Sequence, residues 1–124
     1  MTKPRSRIAK GRNFQKRVCE KFKKAFGLTD EDIRCPIGAE SGSDLILISE
    51  RARSIIDLEI EMKNQKNMNI WSAIEQAKKR KKDGKQEAVI FKRGELGAHQ
   101  TYICIPLEHY LKIRAANWVY EGPV

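Results

Sequence analysis

A chain of 124 residues is long enough for one hydrophobic core and too short for two, so any functional site must be built on a single domain. The 25 Lys and Arg against 16 Asp and Glu give a formal charge of +9, a balance that favours a polyanionic partner, nucleic acid ahead of a membrane surface. Three scattered cysteines, Cys19, Cys35 and Cys104, exclude a disulfide framework and a cysteine-rich zinc site, and read as reduced, buried thiols of a cytosolic protein.

The opening stretch "MTKPRSRIAKGR" carries five basic residues and no acid. It reads as a flexible basic arm over residues 1–12, with Arg5, Arg7, Lys10 and Arg12 as phosphate contacts; a solubilising tail is the other reading. No apolar stretch follows it, and no run in the chain nears the roughly 20 residues a membrane span requires, so a soluble, unexported protein is expected. Residues 13–124 read as one domain without repeats or internal linkers.

From Asn13, the apolar residues Phe14, Val18, Phe22 and Ala25 recur at helical spacing, and Gly27 supplies a stop. "DIRCPI" predicts a short strand that Pro36 confines to an edge or an end. "GAESGS" is a loop of small residues leading into a buried strand, "DLILIS". "ERAR" is expected to turn the chain into a further strand, "SIIDLEIEMK". A helix from about Ile70 to Lys82 follows, with Ile70, Ala73, Ile74 and Ala77 on one face, and Asp83-Gly84 ends it. "EAVIFK" and "TYICI" predict two more strands, and Pro106 opens a closing helix, "PLEHYLKIRAA". The expected order is α-β-β-β-α-β-β-α. The aromatic tail "NWVYEGPV" carries no assignment.

The third strand holds the chemistry. Alternation along it puts Asp57, Glu59, Glu61 and Lys63 on one face and Ile56, Leu58, Ile60 and Met62 on the other. If "DLILIS" and "SIIDLEIEMK" form a simple hairpin across the "ERAR" turn, Asp44 comes opposite Glu61, with Cα atoms about 4.5 to 5.5 Å apart. Two carboxylates so placed repel unless a cation lies between them, and hard oxygen ligands at that spacing suit magnesium, or manganese in its place. Such an ion on Asp44, Glu61 and the Met62 carbonyl could activate a water, while Lys63 orients it and counters charge building on a phosphate. A solvated strand face of alternating charge is the competing reading. The Gly-Ser loop before Asp44, the register, the following helix and the basic charge together favour phosphodiester hydrolysis.

Asp44 followed by Glu61-Met62-Lys63, within an α-β-β-β-α-β order, resembles the PD-(D/E)xK nuclease superfamily. A closer likeness extends over "GRNFQKRV", "DIRCPIGAESGSDLIL", "EMKNQKNMNIWSAIEQA" and "AVIFKR". These segments are similar to small phage and prophage nucleases of the resolvase-like branch, with Holliday-junction resolvases among the relatives. The resemblance implies a restriction-endonuclease-like α/β fold, a mixed central sheet flanked by helices, and a magnesium-dependent DNA endonuclease working in the cytoplasm of a bacterial host. One departure is Ser43, which stands where the family name places proline and removes no ligand. Many relatives carry a glutamate on the first helix as an extra ligand; that slot falls on Gln15, which lies near the edge of the apolar stripe, whereas Glu20 points away from it. Gln15 can orient water or touch phosphate but adds no charge, leaving Glu59 as the candidate third carboxylate; a half-buried polar residue on a packed helix is its other reading. The resemblance also places a polar residue, here Gln76, near the catalytic face.

Gln65 shares the Lys63 face if the strand continues, and is a candidate DNA contact. Trp71 reads as a packing residue or an interface anchor ahead of a base-stacking platform. Five consecutive cations, Lys78 to Lys82, exceed what helix capping requires, so Lys79, Arg80, Lys81 and Lys82 are expected to grip phosphate. His99 and His109 are too separated for a histidine metal site and read as structural. Branched DNA is the favoured substrate, cut by a homodimer that nicks two strands symmetrically. A nicking or degradative nuclease on duplex or single strands is the first alternative, and a non-catalytic DNA-binding module the second.

Overall fold

The computed structural model describes residues 4–37, 42–64, 67–82, 84–92 and 100–117, with side chains from residue 11 onward. Helix α1 (Pro4–Phe26) starts at Pro4, not at Asn13 as the apolar pattern alone suggests. Proline suits a first helical position, and the Arg, Lys and Ala after it are strong helix formers, so the backbone of the basic arm continues the helix it precedes. At the other end Gly27 takes φ +64°, and the Leu28 amide donates to the Lys23 carbonyl at 2.9 Å, a closure that delivers Leu28 into the core. Phe14, Val18 and Cys19 are the buried face of α1; Phe22 is half-buried and Ala25 exposed.

Strand β1 (Ile33–Arg34) pairs antiparallel with β2 (Ile46–Leu47), aligning Ile33 with Leu47. Asp32 ties this ribbon to the residues on either side of it. Its carboxylate accepts from the Thr29 amide at 2.9 Å, the Ser49 hydroxyl at 2.7 Å and the Arg51 guanidinium at 2.8 Å, while its carbonyl accepts from the Ile48 amide at 2.7 Å. The Arg51 guanidinium, then Ser49 and the Thr29 amide, hold the Asp32 carboxyl far below the ordinary carboxylate range.

The "ERAR" segment is not a hairpin turn. It forms helix α2 (Glu50–Ile55), capped by Ser49, whose Oγ accepts from the Ala52 amide at 3.0 Å. This helix carries the chain away from β2, so Ile46 and Leu47 of "DLILIS" pair with β1, and the segment reaches the strand after it through Asp44 and not as a hairpin. Strand β3 (Leu58–Lys63) instead runs parallel to β4 (Gln86–Lys92), the two joined by helix α3 (Ile70–Arg80), and β4 pairs antiparallel with β5 (Thr101–Cys104). Among the described residues the expected single mixed sheet is thus two small sheets, a β1-β2 ribbon and a mixed β3-β4-β5 sheet, within an α/β fold with four helices. The order gains one helix, α2, over the sequence expectation.

The β3-β4 pair is buried on both faces. Ile60, Met62, Ala88 and Ile90 join Phe14, Val18, Leu28, Ile33, Leu45, Ala52 and Ile56 in the main core. On the other face lie Glu61, Val89 and Glu87, and here α3 packs, as its Arg80 and the adjoining Lys81 reach Glu61 and Glu87. Ala73 and Ala77, both fully buried, let the helix approach the sheet closely.

Helix α4 (Leu107–Asn117) buries only His109 among its residues, and His109 Nε2 lies 3.4 Å from an Asp57 carboxylate oxygen without hydrogen-bond geometry. Asp57 precedes β3 and so leaves the ionic row expected of that strand. Cys19 is buried and burial pushes its thiol up to about 12, whereas Cys35 and Cys104 are half-buried and not fully enclosed; all three are free. Among the described residues no helix is long and apolar enough to cross a membrane.

Candidate active site

Asp44 and Glu61 meet although their strands do not form a hairpin. Gly42, at φ +115°, adopts a backbone geometry that disfavours side-chain-bearing residues, and two residues later the Asp44 amide donates to the Ile60 carbonyl at 3.3 Å. The Asp44 carboxylate then accepts from the Met62 amide at 2.7 Å. Asp44 therefore brackets Glu61 from the edge of β3 that faces away from β4. Within a strand the amide and carbonyl of one residue leave on the same side, so the Met62 carbonyl points to this edge as well.

Gln15, on α1, donates from Nε2 to the other Asp44 oxygen at 3.3 Å, placing it beside the carboxylate pair. Glu20 is exposed, and its contact is with Lys23 at 3.2 Å. Ser43 donates its hydroxyl to Glu59, which engages that carboxylate in holding the loop against β3.

Glu61 is only 5 % exposed. Its two oxygens face two cations, Arg80 Nη1 at 2.7 Å and Lys63 Nζ at 3.3 Å. Burial, reinforced by the Asp44 charge, raises the Glu61 carboxyl above its ordinary range against the pull of Arg80 and Lys63. Burial likewise raises Asp44, opposed by the Met62 amide and by the same two cations. Four charged groups therefore form one electrostatic unit: two desolvated carboxylates and two basic side chains.

Gln76 lies one helical turn before Arg80 on α3, on the side nearer the end of β3 that carries Lys63, because α3 runs antiparallel to that strand. Its side-chain oxygen is buried and meets no donor among the described residues. A buried acceptor left open in this way is a ready partner for a bound water or a polar ligand group.

The basic residues separate into two kinds. Arg80 is ion-paired to Glu61, and Lys81 to Glu87 at 3.0 Å, although both remain exposed. Lys79 and Lys82 are exposed and have no ion pair among the described residues, and Arg12 is exposed on α1. The side chains of Arg5, Arg7 and Lys10, together with Gln65 and His99, lie outside the described residues. Trp71 is 75 % exposed and so does not act as a packing residue within this chain. The place of Arg80 is legible in the sequence: three residues beyond Ala77 it falls on the sheet-facing side of α3 marked by Ala73 and Ala77, with its own side chain 39 % exposed.

No family model matches the chain, and neither does any curated protein or solved structure. The site therefore rests on its own chemistry. Among the described residues no cluster of three or more His, Cys, Asp or Glu side chains could hold a metal. Two carboxylates and the Met62 carbonyl nonetheless supply hard oxygen groups around Glu61 on β3, and burial raises both carboxyls, with Asp44 adding to the rise at Glu61. Oxygen donors of this kind would suit magnesium or manganese.

Proposed function

We propose that the protein is a metal-dependent DNA endonuclease of the PD-(D/E)xK type. The observation that carries this reading is the bracketing of Glu61 by Asp44, through the Ile60 carbonyl and the Met62 amide, with Lys63 at 3.3 Å from Glu61. Asp44, Glu61 and the Met62 carbonyl would hold magnesium, with manganese as a substitute. When bound, that ion supplies activation of water and neutralisation of charge on the phosphate.

The chain's own groups do the rest. Gln15 fixes the Asp44 carboxylate, so the donor keeps its orientation without a charge of its own. Lys63, on the strand and half-buried, offers an ammonium that orients water and stabilises negative charge on the phosphoryl oxygens. The open acceptor of Gln76, one helical turn before Arg80, can accept a hydrogen bond from a bound water and so fix its orientation. Arg12, Lys79 and Lys82 contact the phosphates on either side, together with the Arg5, Arg7 and Lys10 of the opening segment.

Branched DNA is the favoured substrate, processed by a homodimer in the cytoplasm of a bacterial host by a phage- or prophage-encoded enzyme. Tyr102, Ile103, Leu107, Tyr110 and Leu111, all exposed on β5 and α4, support pairing of two copies. Cleavage of a mobile four-way junction should exceed that of linear duplex and single strands in magnesium, and light scattering should give a dimer. Equal cleavage of all three would indicate a nicking or degradative nuclease. A second reading draws on the ion pairs that already neutralise Glu61: a DNA-binding module without turnover, which would bind tightly and salt-sensitively and yield no metal-dependent product.

A further inference from the structure

The carboxylate pair already has two positive partners. Asp44 and Glu61 carry two negative charges when ionised, and Arg80 and Lys63 carry two positive ones, so the unit is neutral as it stands. A divalent cation added to it would leave a surplus of two positive charges in a partly desolvated site, which is strongly unfavourable. Release of one basic group would cut that surplus to a single charge. Lys63 sits on the strand with its side chain 21 % exposed, whereas Arg80 is the last residue of α3, with its side chain 39 % exposed and an open route to solvent. Arg80 also acts on both carboxylates, since it contributes attraction at Asp44 as well as at Glu61.

We infer that Arg80 is a stand-in cation, holding Glu61 in the metal-free protein and giving up that carboxylate when a divalent ion binds. Resting on the nuclease reading above, this makes Arg80 a positioning residue that sets cation affinity. Without it, Glu61 would be a buried carboxylate with one cation 3.3 Å away, poorly compensated before metal arrives. With it, the site stays folded and preformed, and the ion must compete with a charge-assisted hydrogen bond of 2.7 Å. Released from Glu61, the guanidinium would join Lys79 and Lys82 at the end of α3, where phosphate lies in the proposed complex.

The test is manganese binding, measured by the loss of free-ion electron paramagnetic resonance signal, on the full chain and on Arg80→Gln, with Asp44→Asn as the control. Arg80→Gln should bind manganese about tenfold or more tightly, the factor expected for removing one charge-assisted hydrogen bond from the competition. In the unsubstituted protein, the Arg80 guanidinium proton signals should be protected without metal and exchange rapidly once magnesium is added, a readout that stands even if Arg80→Gln fails to fold. Equal affinities, dependent on Asp44, with an unmoved Arg80 signal would overturn this role and leave the nuclease reading intact. Absence of manganese binding in both proteins, or binding indifferent to Asp44→Asn, would overturn both.

Discussion

Asp44→Asn separates the fold from the chemistry most cleanly. The carboxylate accepts two hydrogen bonds, from the Met62 amide at 2.7 Å and from Gln15 Nε2 at 3.3 Å. An asparagine can keep its oxygen on Met62 and turn its amide toward Gln15, whose own amide can flip to accept. Loss of the charge removes repulsion with Glu61 and the burden of burial, and gives up attraction to Arg80 and Lys63. These effects oppose one another, so the net change in stability should stay within about 1 kcal/mol, or roughly 4 °C in Tm. Cleavage should fall at least about a thousandfold, since each tenfold corresponds to ~1.4 kcal/mol and loss of a ligand to the ion removes several. Calorimetry and single-turnover cleavage at saturating enzyme measure the two quantities on one preparation. Turnover within about tenfold of the original would refute the assignment of Asp44 as a ligand, because a lost ligand cannot leave the rate so nearly intact. An unfolded variant would assign it to structure.

Lys63→Ala should preserve manganese binding while lowering the cleavage rate about a hundredfold or more, as expected of a group acting on water and phosphate; a near-normal rate would remove it from the chemistry. Calcium should support DNA binding with little cleavage because its loose coordination positions water poorly, and equal rates in calcium and magnesium would contradict the mechanism. Lys79→Ala with Lys82→Ala should lower the salt dependence of DNA affinity by about one counterion per lost phosphate contact, without shifting the unfolding temperature. Asp32 predicts a pH effect. Its folded-state carboxyl is depressed, so the stability it adds is complete above the unfolded value of about 3.9 and disappears as pH falls below it; Asp32→Asn should be less stable at neutral pH and converge with the parent in acid, and a constant gap across that window would refute the linkage.

Periodicity exposes the elements that are long and regular. Helix α3 and strands β4 and β5 fall close to where the apolar patterns place them, and helix α4 close to where Pro106 places it. Short polar segments are harder to read. "ERAR" looks like a turn by its charge, yet Ser49 followed by Glu50 is also the start of a capped helix, and the Asp32 contacts to Ser49 and Arg51, 17 and 19 residues away along the chain, decide in favour of the helix. That same choice removes the hairpin and divides the sheet. The juxtaposition of Asp44 with Glu61 survives for a different reason, two hydrogen bonds from one residue to the strand edge. The start of α1 is hidden because a basic segment with few apolar residues gives no period, although its residues favour helix. Arg80 reads as part of a charge run, and only its place on the Ala73-Ala77 stripe distinguishes it from Lys79 and Lys82.

The attachment of Asp44 to β3 bears on how such a site could change over evolutionary time. The separation of the two carboxylates is gauged by the peptide units of a single strand, since the Ile60 carbonyl and the Met62 amide flank Glu61 and both engage Asp44. Insertions or deletions in the sequence before Gly42 would alter how the chain arrives without altering that gauge. The sequence before Gly42 is thus free to diversify while the spacing between Asp44 and Glu61 stays in calibration.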